Sequence, residues 1–124
     1  VIILLTYNSN VSCNNMENSI DNETWIIDYG DEVIIKKSSI GVDKLSSKDR
    51  LVYCLWVADY SMRNAGDLES AYAMHPKCLE EGLGLAKVMD LKKSIELFQK
   101  DKVEFEKHFF NLFNNVCNEL KNYT

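Results

Sequence analysis

LVYCLWVADYSMRNAGDLESAY, residues 51–72, is the most continuously apolar and most clearly punctuated stretch of the chain. Leu51, Leu55, Ala58 and Met62 fall on one helical face, and Val52, Trp56 and Tyr60 fall on the adjacent one. Most of the circumference of such a helix belongs out of water, so it needs neighbours on several sides. Ser46 and Ser47 supply hydroxyls for the first unpaired N–H groups, and Asp49 places a carboxylate in the positive first turn. Gly66, preceded by Asn64, tolerates the positive φ of a helix-ending cap, and Asp67 can open the next helix. The reading is a central buried helix from about Ser47 to Asn64.

The remaining chain is sufficient to surround it. With 124 residues, 46% of them hydrophobic, the chain suits one all-helical domain spanning residues 1–124. One proline and five glycines leave no linker-like composition. No stretch reaches the roughly 18 uninterrupted apolar residues of a membrane span. The opening VIILLTY lacks a basic flank and a small-residue cleavage site, and Asn8–Asn10 interrupt it. It reads as a short buried segment or as a remnant preceding a start at Met16, with residues 1–22 peripheral or non-native. Cys54 and Cys117 lie on apolar helical faces, where a free thiol behaves as a small hydrophobe, so reduced cysteines and a cytoplasmic location are expected. The three Asn-x-Ser/Thr triplets at Asn10, Asn22 and Asn122 are discounted in an asparagine-rich chain.

Acidity is local. Glu17, Asp21, Glu23, Asp28, Asp31 and Glu32 precede the first base, Lys36, while the formal net charge of the whole chain is −5. Beyond this block the charges nearly cancel. A block of this sign repels a phosphate backbone but complements a basic surface that ordinarily holds one; a solvated face kept for solubility is the plainer alternative.

Glu23–Lys37 supports two readings. Ile26, Tyr29 and Val33 follow helical spacing, whereas Trp25, Ile27 and Tyr29, then Gly30-Asp31, then Val33 and Ile35 read as a short hairpin. Helix is preferred, because an isolated hairpin is marginal and only Val1–Tyr7 could extend it. After Tyr72, Pro76 opens a helix with Leu79, Leu83, Ala86 and Met89 on one face. Gly82 and Gly84 cost that helix about 1 kcal/mol each, so close packing against the central helix is expected to compensate. Asp90 is placed as the cap of a short helix, Leu91–Lys100, with Leu91, Ile95 and Phe98 inward. In the last helix Phe105, Phe109, Leu112, Val116 and Leu120 repeat at helical spacing, with Phe110, Phe113 and Cys117 beside them. This helix is expected against the central one.

Signatures of chemistry are weak. His75 and Cys78 have an H-x-x-C spacing without further ligands nearby in sequence, so neither a metal nor a cofactor is expected. His108 is not part of an H-E-x-x-H pair, and Gly82-Leu83-Gly84 lacks the third glycine and the preceding strand of a dinucleotide loop. An enzyme is the secondary reading: a small hydrolytic or nucleotide-handling site built from Asp59, Asn64, Asp67 and His75.

The run Leu51-Val52-Tyr53-Cys54-Leu55-Trp56 through Asn64-Ala65-Gly66, then Leu85-Ala86, Ile95-Glu96-Leu97-Phe98 and Phe105 to Tyr123, resembles the bacterial DNA-mimic protein family over roughly residues 45–124. In the turn after the central helix that family tends to carry a glutamate, an Asn-Gly-Gly, an aromatic and a glutamine. Asn64 and Gly66 match; Ser61, Asp67 and Glu69 stand in the glutamate, aromatic and glutamine places. The resemblance implies a small acidic helical protein that occupies the DNA-binding face of another protein. The leading expectation is therefore a non-enzymatic binding module, a DNA mimic or immunity-type inhibitor, that touches neither nucleic acid nor membrane directly. Its basic partner would meet Asp28, Asp31 and Glu32, with Arg63, Asn64, Asp67 and Glu69 as a second recognition loop, and a homodimer is left open.

Overall fold

The first helix owes its docking to a residue with no side chain. In the computed structural model, which describes the backbone of residues 11–124 and the side chains of residues 21–124, α1 runs over Val11–Ile40. Asn22, Ile26, Gly30 and Val33 recur at helical spacing and are buried. At Gly30 the indole of Trp56 lies so close that a Cβ would sit 2.3 Å from its Cδ1. The Gly30-Asp31 pair that reads as a hairpin turn is thus a helix-helix contact. This overturns the hairpin alternative for Glu23–Lys37: that segment is helical throughout, and the described residues contain no strand. Asn22 is buried and donates to Asn114 Oδ1 at 2.9 Å, which ties this part of α1 to the last helix of the chain. That burial also removes Asn22 as a glycosylation acceptor. Val1–Asn10, including the whole of the opening apolar run, lie outside the described residues.

After a 3-10 turn at Val42–Lys44, α2 spans Ser47–Ala65 and is the central helix. Its ends are where local chemistry puts them. Ser46 Oγ accepts from Asp49 N at 3.0 Å, and Gly66, at φ 76°, returns its N–H to Met62 O at 2.9 Å. Leu51, Val52, Cys54, Leu55, Val57, Ala58 and Met62 are all buried, so α2 is enclosed on several sides. Residue numbers rise along α1 as they fall along the facing part of α2: Glu23 meets Arg63, Gly30 meets Trp56, and Lys36 meets Asp49. The two helices are antiparallel.

The remaining helices are α3 (Glu69–Met74), α4 (Cys78–Met89), α5 (Lys92–Phe98) and α6 (Lys102–Lys121). Helix α4 packs on α2 and α5, and α6 packs on α5, α1 and α2. Two helices too short to stand alone are capped from outside. Glu106 of α6 accepts from Leu68 N at 2.9 Å, and Glu119 accepts from Lys93 N and Ser94 N at 2.9 Å each.

Four details differ from the sequence reading. Asp90 closes α4 in the left-handed conformation, at φ 57°, rather than opening α5, whose cap is Glu119. Phe110 is 49% exposed, because the buried stripe of α6 runs through Phe105, Phe109, Phe113, Val116, Cys117 and Leu120. Leu112 is only partly buried beside that stripe. Finally, Gly82 packs on Phe98 of α5 instead of the central helix, and Gly84 has nothing within 4 Å of where a Cβ would stand.

The three helical glycines give a graded test by chemical denaturation. Gly30→Ala and Gly82→Ala place a methyl 2.3 Å and 2.5 Å from ring carbons of Trp56 and Phe98. Each should lower stability by about 1–3 kcal/mol despite the better helix propensity of alanine. Gly84→Ala meets no atom and should raise stability by up to about 1 kcal/mol. Equal effects at all three positions would contradict the packing.

Candidate functional site

The outward face of α1 follows from its inward one. With Asn22, Ile26, Gly30 and Val33 turned to the core, helical rotation exposes Ile27, Asp28, Asp31, Glu32 and Ile35. Ile27 and Ile35 are 49% and 66% exposed. Within the acidic block the Glu17 side chain lies outside the described residues, and the other five carboxylates fall into two groups. Asp21 meets Lys121 Nζ at 2.9 Å and Glu23 meets Arg63 Nη1 at 3.2 Å, so both join α1 to the body of the protein. Asp28, Asp31 and Glu32 have no ion-pair partner among the described residues.

The second expected recognition loop is built differently. Arg63 Nε donates to Asp59 Oδ1 at 2.7 Å, its Nη1 meets Glu23, and its guanidinium lies over the rings of Phe110 and Phe113 at 5.1 and 4.8 Å. Asn64 Nδ2 donates to Tyr60 O at 2.7 Å, Asp67 Oδ1 accepts from Glu69 N at 3.0 Å, and Glu69 lies 3.7 Å from Lys102 Nζ. Beneath them the buried Ser61 hydroxyl donates to Asp67 O at 2.5 Å and accepts from Ala71 N at 3.1 Å. These side chains hold the α2–α3 corner together. The corner and the outer face of α1 are separate surfaces, linked by the Glu23–Arg63 pair.

The hydrolytic constellation is not assembled either. Asp59 is buried against Arg63, Asn64 and Asp67 bond to their own corner, and His75 lies at Glu81 and Tyr53. Burial pushes the Asp59 carboxyl up to about 6, against the opposing attraction and hydrogen bond of Arg63 and with a further upward push from Glu23.

His75 belongs to a different group. Its Nε2 is 2.5 Å from Glu81 Oε1, while Glu81 Oε2 is held by Arg50, with Nε at 3.0 Å and Nη2 at 2.9 Å. Cys54, buried on α2, completes a set in which the Cys54, His75 and Glu81 ligand atoms all lie within 4.8 Å of one another. A pocket of about 50 Å³ adjoins them, lined by Lys37, Leu45, Arg50, Tyr53, His75 and Glu81 among others. Burial, reinforced by Glu81 and Cys78, raises the Cys54 thiol well above its ordinary value, and burial pushes Cys78 up to about 11. Neither thiol is activated as a nucleophile by these surroundings. The H-x-x-C spacing points to Cys78 as His75's companion, whereas the fold brings up Cys54 from the preceding long helix. Only tertiary structure joins those residues.

Set against known protein families, curated proteins and solved structures, the chain matches none of them.

The Asp59 environment predicts a pH dependence with a definite sign. A carboxyl with a folded pKa of about 6, above the 3.8 of an ordinary aspartate, binds its proton more tightly in the folded state. Its contribution favours folding at low pH and is lost as pH rises from about 4 through 6. Between pH 4 and pH 7 the unfolding free energy of wild type minus that of Asp59→Asn should fall by roughly 2 kcal/mol. A difference that stays constant, or that rises with pH, contradicts this environment.

Proposed function

We propose that the chain is a non-enzymatic protein-binding module whose α1 outer face engages a basic protein, in the manner of a DNA mimic or immunity-type inhibitor. The observation that carries this reading is the division of charge along α1. Asp28, Asp31 and Glu32 remain without ion-pair partners among the described residues, while Asp21 and Glu23 on the same helix are paired. Their carboxylates stand beside the exposed Ile27 and Ile35, so charge for attraction and apolar surface for burial share one face. Docking on α2 pre-orders this helix, which reduces the ordering cost of association. The scattering of Asp59, Asn64, Asp67 and His75 over two places further favours binding over hydrolysis. Arg63, Asn64, Asp67 and Glu69 then serve to hold the α2–α3 corner, and the contact surface contracts to α1.

The test starts from the partner recovered on the full-length chain from native-cell extract and identified by mass spectrometry. Asp28→Asn, Asp31→Asn and Glu32→Gln together remove three charges and preserve shape, and should slow association with that partner by about tenfold or more at low salt. Added salt should slow the wild type toward the variant, and DNA should compete for the partner. An association rate indifferent to both salt and the triple substitution contradicts the proposal.

A further inference from the structure

The geometry points to a Zn²⁺ site formed by Cys54 Sγ, His75 Nε2 and Glu81 Oε1, with its fourth coordination position open to the adjoining pocket. One sulfur, one imidazole nitrogen and one carboxylate oxygen form a donor set suited to this borderline-soft ion. One ligand atom from each of the three residues lies within 4.8 Å of the other two, and Nε2 and Oε1 are in direct contact. In a tetrahedral zinc site such atoms stand about 3.5 Å apart, so side-chain rotation suffices and no helix has to move.

The carboxylate is already divided between two tasks. Arg50 occupies Glu81 Oε2 through two nitrogens and leaves Oε1 turned to His75 Nε2, which is how outer partners commonly orient metal-binding groups. A bound ion would exchange the Nε2–Oε1 contact for two bonds to the metal. The Tyr53 ring neighbours the imidazole, at 5.8 Å between ring centroids. Access is also provided: the pocket of about 50 Å³ reaches His75 and Glu81, room for one ion with a bound water. Bound thiolate and carboxylate together would neutralise Zn²⁺, while Arg50 and Lys37 at the pocket wall would favour an anionic group in the fourth position.

The site is tested on the full-length reduced chain, stripped of metal and titrated with Co²⁺ and then Zn²⁺. Wild type should take up one Co²⁺ with a sulfur-to-metal charge-transfer band and tetrahedral d–d bands, all removed by one equivalent of Zn²⁺. Cys54→Ser should lose the charge-transfer band, and Cys78→Ser should keep it. His75→Ala and Glu81→Gln alter side chains that are 23% and 21% exposed, so these variants are expected to fold and to bind Zn²⁺ at least about tenfold more weakly. They decide the matter if the buried Cys54→Ser does not fold. Absence of the charge-transfer band in wild type, its persistence in folded Cys54→Ser, or unchanged Zn²⁺ affinity in both His75→Ala and Glu81→Gln would overturn the site.

Discussion

The close approach of Trp56 to Gly30 is the constraint on which the arrangement depends. Any side chain at position 30 would collide with the indole, so glycine sets the distance between α1 and α2. At that distance Ile26 and Val33 are fully buried on either side of the crossing. It also brings two polar groups of α1 to the buried Asp49, which accepts from Tyr29 Oη at 2.9 Å and from Lys36 Nζ at 3.0 Å. A buried carboxylate without such partners would cost several kcal/mol, so the polar bonds fix the same register that the apolar contacts favour. Tyr29 registers this setting, its phenol pushed well above its ordinary range by burial first and then by the bond to Asp49. Once the inner face of α1 is fixed, its outer face is fixed too, and with it the display of Asp28, Asp31 and Glu32.

The far side of the protein depends on α6. This helix supplies the aromatic row Phe105, Phe109 and Phe113, stacked or tilted at 5.6 Å between successive centroids. It also supplies the carboxylates that end two other helices. A six-residue α3 and a seven-residue α5 gain too few internal hydrogen bonds to persist alone, and Glu106 and Glu119 satisfy N–H groups that their own sequences leave open. Removal of either glutamate therefore acts on an element far away in sequence.

What was legible in the sequence was whatever local chemistry decides. The limits of α2 follow from Ser46 and Gly66, both within one turn of the helix they close, and its core residues follow from an apolar pattern too wide for a surface helix. The helix of residues 23–37 is not fixed by local chemistry, because Gly30-Asp31 suits a turn as well as a helix and only Trp56, distant in sequence, selects the helix. Asp90 is ambiguous for a related reason: an aspartate can cap a beginning or accept a left-handed end, and here the capping role is filled by Glu119, 25 to 26 residues away from the amides it holds. Phe110 follows the same periodicity as its neighbours, yet it falls one step outside the buried stripe. The acidic block was visible as composition, whereas its division into paired and unpaired carboxylates needs the positions of Lys121 and Arg63. The Cys54–His75–Glu81 group left no usable spacing, since its members come from α2, the turn before α4, and α4 itself.

Hydrogen exchange along α1 tests the central claim most directly. If Gly30 and Trp56 lock α1 onto α2, amides from Ile26 to Lys36 should exchange with protection comparable to that of Leu51 to Met62, both opening only with the whole domain. Exchange of α1 near the rate of an unfolded peptide, while α2 remains protected, would show that the helix is not docked and that its acidic face is not held in place by the crossing.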